Sequence, residues 1–203
     1  MPKQRRNFKR PLGERRYRKL FVIAAEGVKT ERQYFAIFNN QYSVIHVNCL
    51  KSKNESSPPL VLKRMKKHLK EDGLKKPDQL WEAWLVVDKD QWTDEQLTLL
   101  HNWSLSQSNY GFALSNPQFE YWLLLHFEDG TGIGFSRECF DRLNRYLTDY
   151  DKNIDTRKIT HEMINKAVRR ARDRDFPPCE DWPRATGTTV YRLVERILEK
   201  SDE

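Results

Sequence analysis

Two short apolar segments of the chain each end abruptly at a carboxylate. The first runs from Leu20 to Ala25 and is followed by Glu26, and the second runs from Trp84 to Val87 and is followed by Asp88 and Asp90. Continuous apolar runs of this length are typical of parallel strands that are covered on both faces. Because ligand sites of open α/β sheets lie beyond the carboxyl ends of the strands, we expect these three acids to converge in one crevice.

The order of the segments predicts the fold class. From residue 20 onward, strand and helix patterns alternate as β-α-β-α-β-α-β-α, and the segments after residue 136 look helical. This order is typical of a mostly parallel sheet with right-handed crossovers and flanking helices. We therefore predict an α/β domain over residues 20–135, preceded by a basic arm at 1–19. A helical C-terminal extension at 136–203 is expected to pack on the same domain.

Local motifs predict where several helices begin. Thr30 with Gln33 and Thr93 with Gln96 both have the spacing of a capping box. Asn116 stands before a proline, which also favours a helix start.

The acids at the strand ends predict a cation site. Three carboxylates held together repel one another unless a cation joins them, and Mg²⁺ is commonly held by one or two carboxylates plus substrate phosphates. Glu120 is a fourth candidate ligand, because it lies in the first turn of an apolar helix that follows a strand end. Ordinary explanations stay open: turn residues for the aspartates, a strand-to-helix turn for Glu26 and Gly27, and a helix-dipole contact for Glu120.

Cationic and polar residues beside the same strand ends are candidates for phosphate binding. Lys29 and Thr30 lie at a predicted helix N-terminus, where backbone amides favour anions. Lys89 stands between the two aspartates, and Asn116 is either a helix cap or a polar contact in the site. Gly27 either permits close approach of a ligand or supplies a positive φ.

Positive charge is concentrated at the N-terminus. Residues 1–20 contain nine Lys and Arg residues and one acid, in a chain whose net charge is +7. Basic arms of this kind bind polyanions, so we expect nucleic acid as the partner; a solvated tail that only aids solubility is the alternative. The candidates nearest the first strand are Arg15, Arg16, Arg18 and Lys19.

Several classes of protein are not expected. No apolar stretch approaches the roughly 20 residues of a membrane span, and no apolar region follows the basic N-terminus as in a secretory signal. Cys49, Cys139 and Cys179 are far apart and form no C-x-x-C motif, so neither a disulfide framework nor a zinc site is expected. A reducing cytoplasm is the simplest context.

Longer stretches of the chain resemble known proteins. An acid–glycine strand end that is followed by an apolar Asp-x-Asp strand resembles the TOPRIM domain, the magnesium-binding fold of topoisomerases, primases and some nucleases. Four blocks are similar to the RloB family, and the resemblance spans nearly the whole chain. These blocks are residues 15–35, 86–90, 115–127 and 188–194.

The resemblance implies roles for the strand-end acids. Glu26 matches the TOPRIM glutamate, a general acid/base or metal ligand, and Asp88 and Asp90 match the metal-binding pair. Glu120 matches the acid of the family's Asn-Pro-x-Phe-Glu block. RloB-like proteins are associated with bacterial defence loci, often beside an ATPase gene, which implies antiviral defence or abortive infection and a possible ATPase partner.

We therefore expect a cytoplasmic hydrolase: a nuclease that uses Mg²⁺ or Mn²⁺ to cleave phosphodiester bonds in DNA or RNA. No tyrosine stands where a topoisomerase nucleophile could be recognised, which favours hydrolysis by metal-activated water. Two alternatives stay open, a non-catalytic module that binds nucleic acid or an ATPase, and a nucleotidyl transferase that turns over free nucleotides. We expect no membrane association.

Overall fold

The computed structural model describes residues 19–39, 45–51, 57–74, 80–90, 92–148 and 150–199. Residues 1–18 of the predicted basic arm lie outside this part of the chain. The described residues form five strands in the order β2-β1-β3-β4-β5. The strands are β1 (Lys19–Ala25), β2 (Ile45–Cys49), β3 (Trp81–Asp88), β4 (Tyr110–Asn116) and β5 (Gly187–Thr188).

The sheet is mostly parallel, which confirms the predicted TOPRIM-like α/β class. β1 pairs in parallel with β2 and β3, and β3 pairs in parallel with β4. The short strand β5 runs antiparallel to β4 and differs from the prediction that the segments after residue 136 are helical.

Seven α-helices flank the sheet in the described part of the chain, none of them long and apolar enough to cross a membrane. They are α1 (Thr30–Ala36), α2 (Pro58–Glu71), α3 (Asp94–Ser104), α4 (Phe119–Leu124), α5 (Ser136–Leu143), α6 (His161–Arg174) and α7 (Val190–Glu199), with a 3₁₀ turn at Thr156–Lys158.

One of the two predicted capping boxes forms. Thr93 Oγ1 accepts from the Gln96 backbone amide at 3.4 Å, and Gln96 Oε1 accepts from the Thr93 amide at 3.0 Å, so this box is confirmed. The box predicted at Thr30 is wrong, because Thr30 is already the first helical residue and α1 has no side-chain cap. The Thr30 and Gln33 side chains instead bond to a loop near residue 150.

Both faces of the sheet are buried, which explains the continuous apolar runs. Phe21 and Ile23 pack into a cluster with residues of α1, α4, α6 and α7. Val22 and Ala24, which point to the other face, pack with residues of α2 and α3. The helical segments after residue 136 therefore share one core with strand β1.

Candidate active site

A cavity of about 690 Å³ lies beyond the carboxyl ends of β1, β3 and β4. All four carboxylates predicted from the strand ends line this cavity. Two further acids and two lysines line it as well. The charged lining residues are Glu26, Glu31, Asp88, Asp90, Glu120, Asp151, Lys29 and Lys152.

Glu26 directly follows β1 and is fixed to the end of β3. Its backbone amide donates to the Val86 carbonyl at 2.9 Å, and its Oε2 accepts from the Asp88 backbone amide at 3.2 Å. The indole Nε1 of Trp92 donates to both oxygens at 3.1 Å. Burial raises the pKa of the Glu26 carboxyl to about 7, although the hydrogen bonds from Asp88 and Trp92 favour the charged form.

Asp88 ends β3, and Asp90 follows it in a turn. Asp90 has a φ of 29°, so the extended backbone of β3 does not continue to this residue. Both aspartates nevertheless line the cavity. The pKa of Asp88 lies well above its usual value, first because of burial and then because of the charges of Glu31, Glu26 and Glu120.

Glu31 is a buried acid that the sequence analysis did not single out. It lies in the first turn of α1, is 4% exposed, and accepts from the Gly27 backbone amide at 2.9 Å. Burial and the charge of Glu120 raise the pKa of Glu31. Gly27 leaves room for this carboxylate, because a Cβ atom on Gly27 would lie 2.0 Å from Glu31 Oε2. Gly27 does not adopt the positive φ that was one explanation for it.

Glu120 lies in the first turn of α4, and its carboxylate is hydrogen-bonded by a residue from the C-terminal part of the chain. The buried Tyr150 hydroxyl donates to Glu120 Oε1 at 3.0 Å. The same hydroxyl lies 3.2 Å from Thr30 Oγ1, which donates to the Lys152 carbonyl at 3.0 Å. Thr30 therefore orients the cavity wall, and its hydroxyl is not free for the predicted phosphate contact.

Two lysines that were predicted to bind phosphate lie elsewhere. Lys89 Nζ donates to the Trp92 carbonyl at 2.7 Å and to Asp94 at 3.1 Å, so it ties the strand end to the start of α3. Lys19 is buried at the other end of β1 and pairs with Glu82. Neither lysine is among the residues that line the cavity.

Of the remaining residues predicted to contact phosphate, one lines the cavity and another bonds elsewhere. Lys29 is exposed and lines the cavity. The Asn116 side chain donates to the Pro183 carbonyl at 3.2 Å, and Asn116 does not cap α4, whose N-cap is Gln118. The arginines of the predicted contact set, Arg15, Arg16 and Arg18, lie outside the described residues.

The donor chemistry of the cavity fits a hard divalent cation. The described lining residues include six carboxylates and no His or Cys side chain, and oxygen ligands of this kind are those that Mg²⁺ and Mn²⁺ prefer. Within the described ranges, no three His, Cys, Asp or Glu side chains are grouped closely enough to hold one ion. One or two carboxylates with substrate phosphates are the usual Mg²⁺ environment, so a group of three is not required.

The close approach of Gly27 and Glu31 gives a testable prediction. Gly27→Ala should displace the Glu31 carboxylate, break its bond to the residue 27 amide and lower the free energy of unfolding by about 1–3 kcal/mol. In a Glu31→Ala background the clash is absent, so the same substitution should cost much less. Urea denaturation of the wild type, of the two single variants and of the double variant measures both costs.

Gly134→Ala is the matched control for this cycle. A Cβ atom there meets nothing nearer than 3.6 Å, so its cost should be small in either background. Equal costs of Gly27→Ala with and without Glu31 would contradict the steric assignment.

Comparison with known proteins places the chain in a family. The family model described as RloB-like protein matches residues 21–197. No curated protein and no solved structure matches the chain. The family match covers well over half of the sequence and includes all of the strand-end acids, so the chain belongs to the RloB family.

Proposed function

We propose that this protein is a divalent-metal-dependent nuclease that hydrolyses phosphodiester bonds in nucleic acid and acts in bacterial anti-phage defence. The observation that supports the proposal is the set of acids along one cavity. Burial and mutual repulsion raise the pKa values of Glu26, Glu31 and Asp88. Such a set is unfavourable in the metal-free protein and favourable around a cation.

The predicted ligands would divide the work of the site. Asp88 and Asp90 would hold Mg²⁺ or Mn²⁺, Glu26 would move protons beside them, and Glu120 would complete a second metal site. When bound, the cation supplies Lewis-acid activation of the phosphate and of the attacking water. Lys29, which is exposed at the cavity, would offset phosphate charge.

Glu26 is suited to move the proton. With a pKa of about 7, its carboxyl exchanges protons near neutral pH, which is the optimum for a general base. Oε2 accepts two hydrogen bonds and Oε1 accepts one, so we assign Oε1 as the proton acceptor. In the hydrolysis a water oxygen bonds to phosphorus, Oε1 takes the water proton, and the bridging P–O bond breaks. Solvent then protonates the leaving oxygen.

The partners follow from charge and family. The basic arm, with Arg15, Arg16 and Arg18, would hold the nucleic-acid backbone through phosphate contacts. Association of RloB-like proteins with defence loci supports a cytoplasmic setting and an ATPase partner from the same locus.

The deciding experiment is a cleavage assay with the purified full-length protein. Plasmid DNA, single-stranded DNA and total tRNA are each incubated with Mg²⁺, with Mn²⁺ and with EDTA. We expect cleavage of at least one substrate with metal and none with EDTA. Binding without cleavage in all metal conditions would favour a binding module, and consumption of free nucleotides would favour a nucleotidyl transferase.

A further inference from the structure

The loop over residues 150–154 forms part of the cavity wall, although it is far along the chain from the strand ends. Asp151 and Lys152 line the cavity together with the strand-end acids. No sequence motif pointed to this loop, and the proposed mechanism does not use Lys152.

Side chains of α1 fix this loop in place. Besides the bond from Thr30 to the Lys152 carbonyl, Gln33 Oε1 accepts from the Ile154 backbone amide at 2.7 Å. Gln33 Nε2 also donates to Asn153 Oδ1 at 3.3 Å. The wall is therefore built on a helix that directly follows the Glu26 strand end.

Lys152 has an unusual backbone conformation for its residue type. Its φ of 70° lies in the left-handed region, which a residue with a Cβ adopts at a free-energy cost. Such conformations persist where surrounding contacts impose them, and they cluster at functional sites. Glycine would adopt this backbone conformation without strain, so the presence of a lysine side chain here needs an explanation.

The Lys152 side chain is charged and exposed. Within the described residues, no carboxylate is close enough to form an ion pair with its ammonium. Burial and Glu120 raise the pKa of Glu31, and the ammonium of Lys152 partly offsets this rise, so its charge acts on the acid cluster. By contrast, Lys89 and Lys166 are each paired with an acid.

We propose that Lys152 binds a phosphate oxygen of the substrate in the cavity, and that Thr30 and Gln33 hold its loop in position for this contact. This inference rests on the proposed function. A wall that consists only of carboxylates would repel a phosphodiester on the side away from the cation. An ammonium among the lining residues offsets that repulsion, and lysine is a common point-charge partner of phosphate.

The test uses full-length Lys152→Gln and the matched control Lys158→Gln. Lys158 is an exposed lysine on the nearby 3₁₀ turn and does not line the cavity. The probe is a labelled five-nucleotide DNA strand. It is titrated with each protein in the presence of Ca²⁺, at several salt concentrations. We expect Lys152→Gln to bind about tenfold more weakly, with a salt slope smaller by about 0.7. We expect Lys158→Gln to match the wild type.

Two further variants separate charge from loop structure. Lys152→Gly suits the left-handed backbone, so its melting temperature should not fall, yet its binding should weaken as in Lys152→Gln. Thr30→Val, which lacks the hydroxyl that holds the loop, should weaken binding while keeping the lysine.

The outcomes distinguish this inference from the proposed function. Equal binding by Lys152→Gln and Lys158→Gln overturns the assignment of Lys152, even when the wild type cleaves. A wild type that binds the probe but cleaves no substrate with Mg²⁺ or Mn²⁺ overturns the nuclease, while the Lys152 contact is judged by binding alone. A wild type that does not bind the probe overturns the Lys152 contact, while the nuclease is judged by the cleavage assay alone.

Discussion

Asp88→Asn should abolish metal-dependent cleavage and, at the same time, raise the melting temperature of the metal-free protein. The substitution preserves shape but removes a carboxylate that burial and three neighbouring acids disfavour. Loss of residues that only orient metal ligands typically costs 10- to 100-fold, so loss of a ligand should lower kcat by at least about 100-fold. Cleavage kinetics and thermal denaturation in EDTA measure the two effects.

The control for Asp88→Asn is Asp141→Asn, which removes the same charge from an exposed position on α5. It should change neither the cleavage rate nor the apo-protein melting temperature. Because a ligand that binds only the folded state stabilises it, Mg²⁺ should raise the melting temperature of the wild type and of the control, but not of Asp88→Asn. Wild-type cleavage by Asp88→Asn would contradict the assignment of the metal site.

Glu26→Gln should remove a specific part of the pH dependence of stability. The raised pKa means that the folded state holds the Glu26 proton more tightly than the unfolded state does. This stability is fully present below pH 4.5 and is lost as the pH rises to about 7. At about 1.4 kcal/mol per pKa unit, the loss amounts to roughly 3 kcal/mol. In Glu26→Gln, the glutamine oxygen at the Oε2 position can still accept from Trp92 and from the Asp88 amide.

The pH dependence of stability must be compared between the wild type and Glu26→Gln, because another buried group contributes a pH dependence of the opposite sign. Burial lowers the pKa of His126 from 6.5 to about 4, so its contribution to stability rises with pH over that window. His126 is common to both proteins and cancels in the difference. Urea denaturation of wild type and Glu26→Gln between pH 4 and pH 8, without metal, should show the variant gaining stability relative to the wild type.

Glu71→Gln serves as the matched control for Glu26→Gln, since Glu71 is an exposed glutamate that pairs with Lys67 at 3.8 Å. Its stability should run parallel to that of the wild type over the same pH range. Parallel curves for Glu26→Gln would show that Glu26 does not hold its proton more tightly in the folded protein.

Features carried by adjacent residues could be predicted from the sequence. An apolar run that stops at Glu26 or Asp88 specifies both a buried strand and an acid at its carboxyl end, and parallel pairing then brings neighbouring ends together. The Thr93 box was predictable for the same reason, because both of its bonds join residues three apart.

Features that depend on distant contacts could not be predicted in this way. Glu31 has the pattern of an ordinary first-turn acid, and the contact of Trp92 with Glu26 joins segments 66 residues apart. Lys89 stands between the two predicted metal ligands, but the carbonyl of Trp92 and the carboxylate of Asp94 capture its ammonium. A motif specifies which residue types are near one another, whereas packing decides which way each side chain points.

The loop over residues 150–154 also has a consequence for protein synthesis. A ribosome makes the strand-end acids long before it makes this loop, and the core beneath them is complete only when Val194 and Ile197 of α7 have packed against it. A growing chain would therefore carry its acids on an unfinished surface without Tyr150 to orient Glu120 or Lys152 to receive a phosphate. The order of synthesis therefore delays assembly of this cavity until α7 has been made.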